Sequence, residues 1–258
     1  MAKIFAITNQ KGGVGKTTTA VNLAASLAAK QQRVLLVDLD PQGNATMGSG
    51  IEKRSLSASV YQVLLNLREV EDVIQHSVSG GYDVLPSNRD LAGAEIELVD
   101  QEARDTRLKT ALSRVSGRYD YVLIDCPPAL NLLAINTLAA ANGVMIPMQC
   151  EYYALEGVSD LVNTIRRIRT HINPTLEIEG LLRTMYHGGS SLSQQVSEQL
   201  KNHFGDKVYD TIIPRNVRLA EAPSYGQPVR VYDPASKGAQ AYQALAEEIF
   251  SRAAQLEK

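Results

Sequence analysis

The sequence predicts an α/β protein, a mostly parallel twisted sheet flanked by helices, and three observations carry that expectation. Seven short runs rich in β-branched residues alternate with seven longer runs of helical periodicity. Several of the short runs are apolar throughout, as strands covered on both faces are. A glycine-rich loop separates the first short run from the first long one, which sets that loop on a helix N-terminus.

The first strand, 4–8, reads IFAIT and gives way to the loop and then to helix 16–30, rich in alanine and leucine. Strand 33–38, RVLLVD, ends at Asp38, because Pro41 and Gly43 stop regular structure, and 40–55 reads as a functional connection. Helix 57–66 leads to strand 82–85, and helix 104–116 to strand 121–125. Pro127 and Pro128 forbid helix there, so the next helix spans 131–141. Strand 143–148, helix 154–172, strand 178–185, helix 190–204, strand 208–212 and helix 236–255 complete the alternation. No fixed-period repeat or Pro/Ser-rich linker divides the chain, so one domain over 1–258 is expected.

With 44% hydrophobic and 21% charged residues, the chain has the usage of a globular protein rather than a disordered or fibrous one. Lys+Arg 26 against Asp+Glu 28 gives a net charge of −2, so no global positive field draws it to nucleic acid or anionic lipid, and any such binding is local. Cys126 and Cys150 each end an apolar run and read as small buried hydrophobes in a reducing compartment. MAKIFAITNQ runs straight into the glycine loop without the features of a signal peptide, and no apolar run reaches the ~18–20 residues of a membrane span. A cytoplasmic location is expected.

The loop reads Asn9-Gln10-Lys11-Gly12-Gly13-Val14-Gly15-Lys16-Thr17-Thr18. Residues without side chains let backbone N–H groups curl around an anion, and the helix N-terminus adds partial positive charge. Lys16 then reaches the β- and γ-phosphates of a nucleotide and the Thr17 hydroxyl ligates Mg²⁺. The strict pattern fails once, since position 10 is Gln where it has Gly. Two further turns place carboxylates at strand ends: Asp38 and Asp40 in RVLLVDLDPQG, and Asp125 in YDYVLIDCPP. Carboxylates there stand beside a ligand bound at the carboxyl edge of a parallel sheet. By the residues alone a plain acidic turn stays open for both, and Pro214 to Pro228 reads as a proline-bounded surface loop.

QKGGVGKTT, with its second lysine at Lys11, resembles the deviant Walker A motif of the ParA/MinD group of P-loop ATPases. The similarity continues through LPSNRDLAGAEIEL, MQCEYYALEG, TIIPRNVRLAEAPSYGQPV and YDPASKGAQAY, and so resembles the chromosomal ParA proteins of the Soj type over nearly the whole chain. The resemblance implies an ATPase with ATP and Mg²⁺ as cofactors, slow unless a partner stimulates it. Lys11, Lys16 and Asp40 are then catalytic, with Lys11 reaching in trans across a nucleotide sandwich homodimer and Asp40 orienting the attacking water. Gly12, Gly13, Val14, Gly15, Thr17 and Thr18 cradle the nucleotide beside the lysines, Glu151 lies near its edge in the dimer, and Pro214 and Asn216 pack on adenine. Thr17, Asp38 and Asp125 serve the metal, Asp125 as the Walker B carboxylate, and the Cys126-Pro127-Pro128 turn senses the γ-phosphate.

By the same resemblance the ATP-bound dimer coats double-stranded DNA non-specifically, at the nucleoid, until a ParB-type centromere-binding partner stimulates hydrolysis, which drives chromosome or plasmid segregation. Arg218 stands at one DNA-binding position; another is expected after Met185, where this chain has His187-Gly188-Gly189-Ser190. From 180 to 237, seven cations (Arg183, Lys201, Lys207, Arg215, Arg218, Arg230, Lys237) face five acids, a slight excess. Arg166, Arg167 and Arg169 read as a solvated helix face. The alternative is a MinD-like switch on a membrane surface, positioning cell-division or other protein cargo. The C-terminal run AYQALAEEIFSRAAQLEK argues against it, being alanine-rich and carrying Glu247, Glu248 and Glu257, and it is expected to pack on the domain. An iron protein with a cluster shared across a dimer would need Cys126 and Cys150 as ligands, and Pro-Pro after Cys126 speaks against that. With the first strand starting near residue 3, no helix-turn-helix is expected before the loop.

Overall fold

Strands β1 (Lys3–Ile7), β2 (Val34–Asp38), β3 (Gln75–Ser77), β4 (Tyr82–Leu85), β5 (Tyr121–Asp125), β6 (Gly143–Gln149), β7 (Glu177–Tyr186) and β8 (Val208–Pro214) form one sheet. It comes from a computed structural model that describes residues 2–256. The strand order is β3-β4-β2-β5-β1-β6-β7-β8, parallel at every pairing except β3 with β4. The helices are α1 (Lys16–Ala28), α2 (Asn44–Gly48), α3 (Val60–Leu64), α4 (Val70–Val73), α5 (Leu91–Glu97), α6 (Arg107–Val115), α7 (Leu132–Ala140), α8 (Ala154–His171), α9 (Ser191–Phe204), α10 (Val217–Glu221), α11 (Val229–Tyr232) and α12 (Lys237–Leu256).

The apolar strands are explained by two-sided burial. Val34 and Leu36 of β2 join the layer holding α1 and α12, while Leu35 and Val37 join the opposite layer with α3 and α6. Tyr121 and Leu123 of β5 likewise face the first layer and Val122 and Ile124 the second. Each such side chain contributes about 1.5–3 kcal/mol on burial, so a polar residue on either face is costly.

The seven expected strands are present with ends shifted by at most two residues, within the usual latitude of element boundaries. The short elements β3, α2, α4, α5, α10 and α11 were not expected, since runs of three to seven residues carry too little periodicity to read. The stretch 40–55 is therefore partly helical, and 214–228 holds a helix rather than an irregular loop.

As expected, α12 packs on the domain: Ala239, Tyr242, Leu245, Ala246 and Ile249 are buried against α1 and the sheet. Its polar side closes the sheet's edge. Glu248 accepts the N–H groups of Asp210 and Thr211, both at 2.8 Å, and Arg252 donates to the carbonyls of Asp206 and Val208 at 2.8 and 2.9 Å. The apolar face that a membrane anchor would use is thus occupied, and Glu257 lies outside the described residues. No described helix is long and apolar enough to cross a membrane. Arg166, Arg167 and Arg169 are exposed on α8, as expected of a solvated face.

Candidate nucleotide-binding site

β2, β5 and β1 are neighbours, and Asp38, Asp125 and Ile7 stand in register at their carboxyl ends. The connections leaving these strands therefore crowd one crevice, where open parallel sheets hold ligands. Gly13 and Gly15 have φ of 73° and 89°, left-handed values that only glycine adopts cheaply, so the loop curls as the motif requires. Gln10 is not among the residues of positive φ, which is why a side chain is tolerated there. Asn9 braces the turn instead: its Oδ1 accepts the Lys11 N–H at 3.0 Å, and its amide donates to the Pro147 carbonyl at 2.8 Å.

Lys16 begins α1, buried under the loop, and its ammonium donates to the Lys11 carbonyl at 3.2 Å. Burial holds its pKa below the ordinary lysine value, opposed by the charge of Asp125. Thr17 Oγ1 donates to Asp125 Oδ2 at 2.7 Å, while Asp125 Oδ1 is buried with no partner among the described residues. Burial, then the neighbouring Asp38, drives the Asp125 pKa well above the usual carboxylate range. A hydroxyl beside an unpaired buried carboxylate oxygen fits Mg²⁺, a hard cation that takes oxygen ligands and is held largely by phosphate and water. Among the described residues no cluster of three or more His, Cys, Asp or Glu side chains offers an all-protein metal cage.

Asp38 is placed differently. Its Oδ2 accepts both the backbone N–H and the hydroxyl of Thr46 at 2.7 Å, and its Oδ1 accepts the Asp40 N–H at 3.2 Å. Those bonds fold the connection after β2 and seat α2. Burial still pushes its pKa up to about 6. Asp40, half-buried, lines the cleft.

A cleft of about 440 Å³ runs from Gly12, Gly13, Gly15, Thr17 and Thr18 across to Pro214 and Asn216. The Asn216 side chain also caps α10, accepting the Leu219 N–H at 3.3 Å. Pro128 of the Pro-Pro turn reaches the same cleft. Lys11 stays at the surface, half exposed, with its ammonium 2.5 Å from Glu151 Oε2. Sequence reasoning missed Asn44, Thr184 and Met185, which also line the cleft; a lone Thr or Met inside an apolar strand gives no signal. A larger hollow, about 720 Å³, along 99–106 contains none of these residues.

The structure thins the expected basic patch. Arg183, counted toward it, is buried and donates to the carbonyls of Tyr209 and Asp210. Arg218 is exposed but paired with Glu221 at 2.7 Å and Asp233 at 3.3 Å. Lys201 pairs with Asp210, which leaves Lys207, Arg215, Arg230 and Lys237 exposed without an ion pair among the described residues. Both thiols are buried, with pKa values pushed up to about 11 by burial, which suits structural hydrophobes rather than cluster ligands.

Fold and loop together define a class, the P-loop nucleotide hydrolases, with the second lysine that marks their deviant Walker A branch. The comparisons agree. A family model described as an AAA domain matches residues 2–178. The chain is 57% identical over 249 residues to the sporulation initiation inhibitor protein Soj of Bacillus subtilis, covering 96% of this chain and 98% of that one. It is 52% identical to the chromosome partitioning protein ParA of Caulobacter vibrioides, over 97% and 94% of the two chains. Among solved structures, a cobyrinic acid a,c-diamide synthase from Mycobacterium smegmatis with bound ADP and magnesium superposes with a TM-score of 0.84 at 38% identity, covering 96% of this chain and 93% of that one. The chain belongs to the ParA/Soj family and is an ATPase, with ATP and Mg²⁺ as its cofactors.

Proposed function

We propose that this ATPase is a dimerising switch that binds double-stranded DNA non-specifically in its ATP state and drives chromosome or plasmid segregation with a ParB-type partner. One observation carries the reading: the loop holds two lysines with opposite dispositions. Lys16 is buried under the loop, whereas Lys11 stands half exposed at its edge, paired with Glu151. An ammonium so placed is free to leave Glu151 for a phosphate presented by a second copy of the chain. The relatives named Soj and ParA support segregation as the task, and a cytoplasmic, nucleoid-associated location follows from it.

Hydrolysis breaks the bond between the γ-phosphorus and the bridging oxygen as water attacks in line, giving ADP and phosphate. Asp40 orients that water, and Lys16 with the α1 N-terminus balances charge on the phosphate oxygens. Thr17 and Asp125 would hold Mg²⁺, with Asp38 supporting the site through the turn it folds, and the ion would supply charge neutralisation on the phosphates. Glu151 serves the nucleotide's edge, and Pro214 and Asn216 serve the base. DNA contact falls on exposed cations doubled by dimerisation, with Arg218 contributing once it leaves Glu221 and Asp233. A few phosphate contacts per subunit give salt-sensitive, micromolar-range binding.

The test is a light-scattering and gel-shift series in ADP and in ATP, with wild type, Lys11→Ala and Arg218→Ala. The expected result is an ATP-dependent dimer that shifts DNA, no dimer for Lys11→Ala despite retained nucleotide binding, and a weaker, less salt-dependent shift for Arg218→Ala. A Lys11→Ala chain that still pairs and shifts DNA in ATP would overturn the reading.

A further inference from the structure

The structure assigns Thr184, a residue of β7 far from the motif in sequence, as the positioning residue that sets the phosphate loop's geometry. Val14 is buried, so its carbonyl needs an internal partner. Thr184 supplies it: the buried Thr184 hydroxyl donates to the Val14 carbonyl at 2.7 Å. The Val14 carbonyl and the Gly15 N–H belong to one planar trans peptide and point in opposite directions. Fixing the carbonyl on Thr184 therefore turns the Gly15 N–H away from Thr184, toward the concave side of the loop. Gly15, at φ 89°, has no side chain to resist a flip of that peptide, so the hydroxyl is what holds it. A Cβ on Gly15 would lie 3.8 Å from the Thr184 side chain, which shows how closely loop and strand are seated.

Thr184 is itself rigidly mounted. Its neighbour Arg183 donates to the Tyr209 and Asp210 carbonyls at 2.6 and 3.0 Å and to Ser197 Oγ at 2.8 Å, tying β7 to β8 and α9. Met185, on its other side, has φ 48°, a left-handed backbone that a side chain adopts only when its surroundings impose it. In register with Thr184 on β6, Gln149 reaches the Gly13 carbonyl at 3.4 Å and Met185 Sδ at 3.0 Å. The carboxyl ends of β6 and β7 thus hold two successive loop carbonyls, those of Gly13 and Val14, and leave the N–H groups for phosphate.

The assignment rests on nucleotide binding by this loop and is tested with Thr184→Val, which keeps shape and strand preference but lacks the hydroxyl. The probes are titration with fluorescent N-methylanthraniloyl-ADP, steady-state ATP hydrolysis, and melting with and without ADP. Thr184→Val should weaken ADP binding about tenfold and raise KM for ATP by more than it lowers kcat. Its nucleotide-free melting temperature should fall by only a few degrees, the cost of stranding the Val14 carbonyl, while the ADP-induced rise shrinks by more, and Thr184→Ser should restore binding to within about twofold. If Thr184→Val does not fold, Thr184→Ser against Thr184→Ala makes the same hydroxyl comparison. Wild-type ADP affinity in Thr184→Val, or equal losses in the valine and serine variants, would overturn the assignment. A wild-type chain that bound no ADP would overturn the nucleotide reading, and the assignment with it.

Discussion

The carboxyl ends of β2 and β5 look alike in sequence, an apolar strand closing on an aspartate, yet the two carboxylates are used in opposite ways. Asp38 accepts three hydrogen bonds from its own connection, while Asp125 takes one from Thr17 and keeps a buried oxygen unpaired. The first is spent on folding the turn that carries Asp40. The second is held out of water with bonding capacity in reserve, which is what the proposed Mg²⁺ site requires. One sequence signal therefore covers two physical jobs, and the count of donors around each oxygen separates them.

The widest separation is expected from Asp125→Asn. Losing the carboxylate charge beside Thr17 should lower ATP turnover on the order of a thousandfold, measured by phosphate release. The nucleotide-free protein should nevertheless melt higher, because an uncompensated buried charge has been removed. Since the folded Asp125 pKa lies above the ordinary carboxylate value of about 4, its protonated form stabilises the wild type at low pH. That contribution is lost as pH rises through the folded pKa, so the melting gap favouring Asp125→Asn should widen upward from about pH 4. A gap that closed with rising pH would contradict the contrast drawn above.

On the proposed role of orienting the attacking water, Asp40→Ala should cost about a hundredfold in turnover while leaving ADP affinity within severalfold. Asp38→Ala should act on the fold instead. It strands the Thr46 and Asp40 donors, and about 2–4 kcal/mol of stability should go, read as a fall in melting temperature. Were Asp38→Ala to melt like wild type, the folding role of this carboxylate would be wrong. The smallest effect belongs to Gly43→Ala on the same connection. Gly43 has φ 61°, and a Cβ there would meet the Ser87 carbonyl at 2.8 Å, so about 1–3 kcal/mol of strain should appear in denaturant unfolding.

Legibility in the sequence followed the same division. The long strands and helices were readable because Val34 to Val37 and Tyr121 to Ile124 are apolar on both faces, a pattern that burial dictates directly. The loop was readable because left-handed backbone at Gly13 and Gly15 demands glycine. Asp38 could be placed at the site but its job could not be read, since that depends on Thr46, eight residues on, folding back over it. Nor could Thr184 be found, because its partner is a carbonyl 170 positions away. The basic surface was overcounted for a related reason: nothing local marks Arg183 as buried or Arg218 as doubly paired.

The clamp of Glu248 and Arg252 on β8 has a colloidal consequence. An exposed edge strand is a template on which further chains can add, and β8 would be such a template. Here the Asp210 and Thr211 N–H groups and the Asp206 and Val208 carbonyls are already taken by α12, and the opposite edge, β3, is three residues long. Lateral growth by strand addition is obstructed along the first half of β8 and short of footing at β3.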